Sequence, residues 1–141
     1  MVDVSEKDVS ARLAWASGRL RTTPEVVAAL RENSLSKGDA LATARIAGIM
    51  AAKRTPELVP LCHPIAISGV KVELTVTDEG VDIAARVKTT DRTGVEMEAL
   101  TAVSVAGLTL VDMVKALDPA ARITDVQVDE KIGGKTGTWQ R

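Results

Sequence analysis

Residues 70–87 alternate with period two, and that alternation limits what the rest of the chain can do. Val70, Val72, Leu74 and Val76 fall on one side of an extended strand, while Lys71, Glu73 and Thr75 fall on the other. Asp78-Glu79-Gly80 supplies a turn, and Val81, Ile83, Ala85 and Val87 resume the pattern. A hairpin with one apolar face needs cover on that face only. The remaining segments must therefore supply helices for one side of an antiparallel sheet.

Three segments qualify. Thr23-Pro24-Glu25 reads as a helix start, with a hydroxyl cap, proline at the first helical position and an acid in the first turn. Residues 40–53 follow Ser36-Lys37-Gly38-Asp39, where either Ser36 or Asp39 can cap. Their alanines make a narrow helix able to pack closely on a neighbour. The third segment, 95–117, is made of good helix formers with an unusually broad apolar surface, and Asp118-Pro119 stops it. Pro56, Pro60 and Pro64 stiffen the stretch that carries Leu61-Cys62-His63. Strands are predicted at 12–21 and 123–128. The resulting order is that of an α+β, ferredoxin-like βαββαβ sandwich with an extra N-terminal helix, its antiparallel sheet covered by helices on one face. A single domain over 1–141 is predicted, with 1–10 and about 131–141 as loops.

Composition removes several function classes. The net charge is −1 with a pI of about 5.9, which argues against a general nucleic-acid binder. Two Trp without Phe or Tyr leave no aromatic platform for bases. One Cys and one His allow no intrachain disulfide and cannot close a Cys/His zinc site within one chain without carboxylates, and they suit a reducing, cytoplasmic compartment. The first ten residues, MVDVSEKDVS, are too polar for a signal peptide, and no uninterrupted apolar run reaches the roughly 18 residues of a membrane span.

Chemistry-bearing residues gather at both ends of the 95–117 segment, with Glu96 and Glu98 at its start and Asp112 and Lys115 near its end. Asp112 and Lys115 are spaced for an i,i+3 ion pair, which as an exposed pair is only decoration. Charges set in so apolar a helix are otherwise paired or used. Glu98 and Asp112 point to nearly the same side of an ideal helix but lie roughly 21 Å apart along it, so both cannot touch one reacting atom. Either one is structural, or they belong to different sites made with a neighbouring copy. Glu96 and Glu98, two residues apart, are expected to diverge. Lys37 stands before a Gly-Asp turn, and Lys131 and Lys135 flank Gly133-Gly134. That glycine-rich stretch can bring amides and ammonium groups to phosphates, although it lacks the Walker A spacing. Cys62 and His63 are chain neighbours whose side chains point apart in an extended segment, which excludes a Cys–His hydrolase.

Four blocks taken together resemble one family: MVDVS at 1–5, KGDALATARIAGIMAAKRTPELVPLCHP at 37–64, TGVEMEALTAVSVAGLTLVDMVKA at 93–116 and EKIGGKTG at 130–137. They are similar to the cyclic pyranopterin monophosphate synthases, the molybdenum-cofactor biosynthesis protein C family, in order and over nearly the whole chain. The resemblance implies a ferredoxin-like lyase that converts 3′,8-cyclo-7,8-dihydro-GTP to cyclic pyranopterin monophosphate with release of pyrophosphate. It also implies a hexamer, a trimer of dimers with sites between subunits. Carried over residue by residue, it implies Asp112, Lys37 and Lys115 as catalytic groups. Leu61, Cys62, His63, Glu96, Met97, Glu98, Lys131 and Arg12 would be substrate-binding. No metal ligands and no required cofactor are expected, with Mg²⁺ on the triphosphate as the one admissible companion. No nucleic acid or membrane partner is implied. Two rivals stand beside this reading: a noncatalytic oligomeric nucleotide- or pterin-binding module, and a purely structural interaction domain.

Overall fold

A computed structural model describes residues 1–141. The chain runs β1 (Ser10–Arg21), α1 (Pro24–Glu32), α2 (Ala40–Ala52), α3 (Thr55–Leu58), β2 (Ile67–Thr77), β3 (Gly80–Asp91), α4 (Glu96–Val114), β4 (Arg122–Ile132) and β5 (Trp139–Gln140). The strands form one five-stranded sheet in the order β2-β3-β1-β4-β5, with every neighbouring pair antiparallel.

The alternation at 70–87 works out in register. Val70 pairs with Val87, Val72 with Ala85, Leu74 with Ile83 and Val76 with Val81, so cross-strand partners on the inner face are all apolar. Ala14, Ala16 and Leu20 of β1 continue that face, and all three are buried. Lys71, Glu73, Asp82 and Arg86 point the other way into solvent, with Arg86 over the Trp15 ring.

Helices α2 and α4 lie on the inner face. The α2 side is Ala40, Ala44, Gly48, Ala51 and Ala52, and the α4 side includes Ala99, Ala102, Val103 and Ala106. Such small residues let the two backbones approach closely. A Cβ at Gly48 would stand 2.8 Å from the Ala102 carbonyl oxygen and 3.3 Å from Ala106 Cβ. In an exposed helix Gly→Ala gains about 1 kcal/mol of propensity. Here the extra atom meets backbone, so Gly48→Ala is expected to destabilise the protein by about 1–3 kcal/mol in urea unfolding.

The expected caps form. Thr23 Oγ1 accepts from the Val26 amide at 3.4 Å, and Asp39 rather than Ser36 caps α2, accepting from the Ala42 amide at 2.9 Å. Helix α4 has 19 residues and a mean hydropathy of 1.5, long and apolar enough to cross a membrane by length and composition. In the fold it is a core helix: Ala99, Ala102, Val103, Ala106, Leu110 and Val114 are fully buried.

Three expectations are corrected. β4 extends on both sides of the expected 123–128, to Arg122–Ile132. Two bulges against β1 hid its alternation: Asp125-Val126 oppose Gly18, and Asp129 is unpaired between Val128 and Glu130. Asp125 takes the left-handed conformation that the first bulge requires, at φ 56°. The tail at about 131–141 is not all loop, since Trp139–Gln140 pairs with Glu130 and Lys131 as a fifth strand. Residues 55–58, read only as a proline-broken segment, form a single helical turn with Pro56 near its start.

Candidate active site

Helices α2 and α4 run antiparallel, so the turn before α2 meets the end of α4. Gly38, at φ 98°, turns the chain and presents Lys37 to that end. Lys37 Nζ donates to Asp112 Oδ2 at 2.8 Å and to the Asp112 carbonyl oxygen at 3.0 Å, and Lys115 Nζ donates to Asp112 Oδ1 at 2.7 Å. The spacing-derived ion pair is therefore one arm of a three-residue cluster. All three side chains are accessible, at 54% for Asp112, 43% for Lys37 and 58% for Lys115. The hydrogen bonds from Lys115 and then Lys37 hold the Asp112 carboxyl at about 2. Asp112 is thus ionised throughout the working range, with both oxygens engaged. Lys37 and Lys115 are both exposed, and each keeps spare donors toward solvent.

The other end of α4 borders a cavity of about 640 Å³. Glu96, Met97 and Glu98 line it with Leu61, Cys62 and His63, and the first residues of the chain close one side. His63 Nε2 donates to the Val2 carbonyl oxygen at 2.8 Å, which ties that arm down. Glu98 is 2% exposed and its Oε2 has no hydrogen-bond partner. Burial, together with the charge of Glu96, pushes its carboxyl up to about 6. Glu96 and Glu98 both border this cavity. Glu96 sits in the first turn, and its carboxylate folds back over Gly94, where a side chain would block it. Burial and the nearby Glu98 charge raise the Cys62 thiol, the opposite of an activated nucleophile.

Glu98 makes stability depend on pH. Its folded value of about 6 lies above the ordinary 4.5, so the fold holds the extra proton between these values. Stability falls as pH rises through that window and stays lower above it. Glu98→Gln cannot ionise. Relative to the parent it is expected to gain on the order of 1–2 kcal/mol between about pH 4 and pH 8 in denaturant unfolding.

The third group lies where β1 meets β4 and the loop after it. Lys131 Nζ donates to the Gly133 carbonyl oxygen at 3.4 Å and to Thr136 Oγ1. Arg12 lines a cavity of about 620 Å³ with Lys7, Ser10, Gly134 and Lys135, as well as Glu6 and Asp8. Lys7 borders this cavity and the Glu98 cavity alike, so the two adjoin on one chain. The Asp112 cluster stands apart, roughly 21 Å along α4 from Glu98.

The MoaC family model matches residues 1–134. The chain is 69% identical over 141 residues to a cyclic pyranopterin monophosphate synthase of Streptomyces avermitilis, covering all of this chain and 83% of that protein. The chain belongs to the MoaC family. A cyclic pyranopterin monophosphate synthase 2 of Mycobacterium tuberculosis is 60% identical, with all of this chain and 84% of that protein covered. A synthase of Thermomicrobium roseum is 53% identical, with all of this chain and 86% of that protein covered.

Within this MoaC-family chain, Lys7 is a cavity residue that sequence reasoning did not select, whereas Lys135, singled out beside Gly133-Gly134, does border the cavity. Lys7 stands among charges in an irregular segment, where neither period nor spacing marks a side chain as facing a cavity. Met1, Val2 and Val4 are likewise wall residues of the Glu98 cavity. Their signals were a short apolar pattern within a polar arm and the place of MVDVS among the blocks that carry the family resemblance.

Proposed function

We propose that this chain is a cyclic pyranopterin monophosphate synthase of molybdenum-cofactor biosynthesis. As a lyase, it takes 3′,8-cyclo-7,8-dihydro-GTP to cyclic pyranopterin monophosphate and pyrophosphate. The observation that carries the reading from family to chemistry is the convergence of Lys37 and Lys115 on an ionised Asp112.

The reaction opens one ring, closes the pyranopterin and forms a cyclic phosphate. In the last step a ribose-derived hydroxyl oxygen attacks the α-phosphorus. The bond from that phosphorus to the bridging oxygen of the β-phosphate breaks, and pyrophosphate leaves with the electron pair. Lys37 and Lys115 shuttle the protons, while Asp112 fixes their positions. Arg12 and Lys131 hold the triphosphate, and ammonium and guanidinium groups stabilise the charge that develops on the leaving oxygen. Glu98 and the 61–63 backbone recognise the guanine-derived ring. No cofactor is required in this reading, and Mg²⁺ accompanying the triphosphate is compatible with it.

The same geometry supports a site shared between copies, and the family resemblance supports the hexamer. The Glu98 and Arg12 cavities adjoin, whereas the Asp112 cluster is too far along α4 to reach a ligand in them. A second copy brings its own Asp112 cluster to that ligand in a homohexamer built as a trimer of dimers. Exposed Ile46, Met50 and Leu108 on α2 and α4 give such an interface apolar surface. We read the fold as ferredoxin-like, supported by the strand order β2-β3-β1-β4. A cytoplasmic setting suits the single unpaired Cys62.

The test is purified protein given the cyclised triphosphate. Pyrophosphate released one-for-one with the pterin product supports the synthase. Binding without release supports the noncatalytic module, and the absence of both binding and release supports a structural domain.

A further inference from the structure

Arg12 presents a geometry that the family assignment does not explain. Its Nε is buried and has no hydrogen-bond partner. Buried donors are nearly always paired, so an orphan persists where its surroundings impose it. The surroundings here are the loop after β4. Gly133 and Gly134 have φ of 100° and 80°. A Cβ at Gly133 would overlap the Ala11 carbonyl oxygen and stand 3.1 Å from Arg12 Cδ. A Cβ at Gly134 would overlap Arg12 Nη1 and stand 3.0 Å from Cζ. The loop backbone thus lies flush along the Arg12 side chain from Cδ to Nη. It is pinned there by Lys131, which holds the Gly133 carbonyl and Thr136, and by the Gly137 amide donating to the Gly134 carbonyl at 3.1 Å. Gly137 differs: its φ is 64°, but no atom lies within 4 Å of where its Cβ would be.

We propose that Gly134 is a positioning residue for the enzyme's substrate. Its missing side chain lets the loop press the Arg12 guanidinium into one orientation at the cavity shared with Lys7, Ser10 and Lys135. The held group presents a planar fork to two oxygens of the triphosphate. Arginine's fork binds phosphate bidentately only when it is aimed, and fixing it beforehand removes ordering cost at binding. The proposal rests on the reading that this cavity takes the triphosphate.

The experiment is a double-mutant cycle read as KM and kcat for the cyclised triphosphate, with thermal melts confirming that each variant is folded. Arg12→Ala and Gly134→Ala are each expected to raise KM roughly tenfold. In the Arg12→Ala background Gly134→Ala is expected to add nothing, because the guanidinium it displaces is gone. Gly137→Ala, which imposes the same left-handed strain without the overlap, is expected to raise KM far less. Arg12→Lys, which needs no variant in the loop, is expected to lose as much as Arg12→Ala, because an ammonium has no fork. Full additivity in the double variant, an equal effect at Gly137, or rescue by Arg12→Lys overturns the positioning role while leaving the phosphate site standing. An unchanged KM in Arg12→Ala overturns the phosphate site itself, and the proposal with it.

Discussion

Asp112→Asn is expected to lower kcat by at least about a hundredfold, the range of a lost acid–base function, with a melting temperature near that of the parent. Asparagine keeps the shape of the side chain. Its carboxamide oxygen can still accept from one lysine, but its NH₂ turns a donor toward the other, so one arm of the cluster opens. The negative charge that balances two ammonium groups is also lost. The surface position of the cluster means little packing depends on it, so the loss is catalytic rather than structural. Steady-state kinetics with a parallel thermal melt check both parts. Because the carboxyl sits at about 2, the parent's activity should show no acid limb from Asp112 anywhere near neutral pH.

Lys131→Ala is expected to act on the other kinetic constant. Its ammonium group braces the loop that carries Gly133 and Gly134, and it stands beside the cavity assigned to the triphosphate. Removing it takes away a cation and loosens the loop over Arg12. KM is expected to rise roughly tenfold to a hundredfold, the scale of one lost charge-assisted hydrogen bond, with kcat changed less. The contrast between the two variants separates a proton-transfer cluster from a binding cradle. Equal losses in kcat for both would merge the two roles.

The parts of this protein that read clearly from sequence are those where one face is buried. The hairpin at 70–87 was legible because each inward residue meets an apolar partner, and the caps at Thr23 and Asp39 because they satisfy local amides. β4 was read too short because its bulges shift the alternation at Asp125 and Asp129. Asp112 with Lys115 was visible as an i,i+3 pair, but composition and spacing alone could not bring Lys37 to it. That contact depends on the antiparallel packing of α2 and α4, which family resemblance could only imply. Lys7 was missed for a related reason: irregular segments have no period, so nothing local tells which side a charge faces.

In the proposed synthase, catalysis joins the Asp112 cluster of one copy to the Glu98 and Arg12 cavities of another. Co-assembly of two inactive variants tests it most directly. Asp112→Asn destroys the cluster, and a double replacement, Glu98→Ala with Arg12→Ala, destroys the cavities. Each protein alone is expected to be nearly inactive. In oligomers assembled from both at random, about a quarter of shared sites receive an intact cluster and intact cavities, so activity should return to about a quarter of the parent's. Mixed oligomers, verified by native mass spectrometry, that stay as inactive as either variant alone would contradict the shared site.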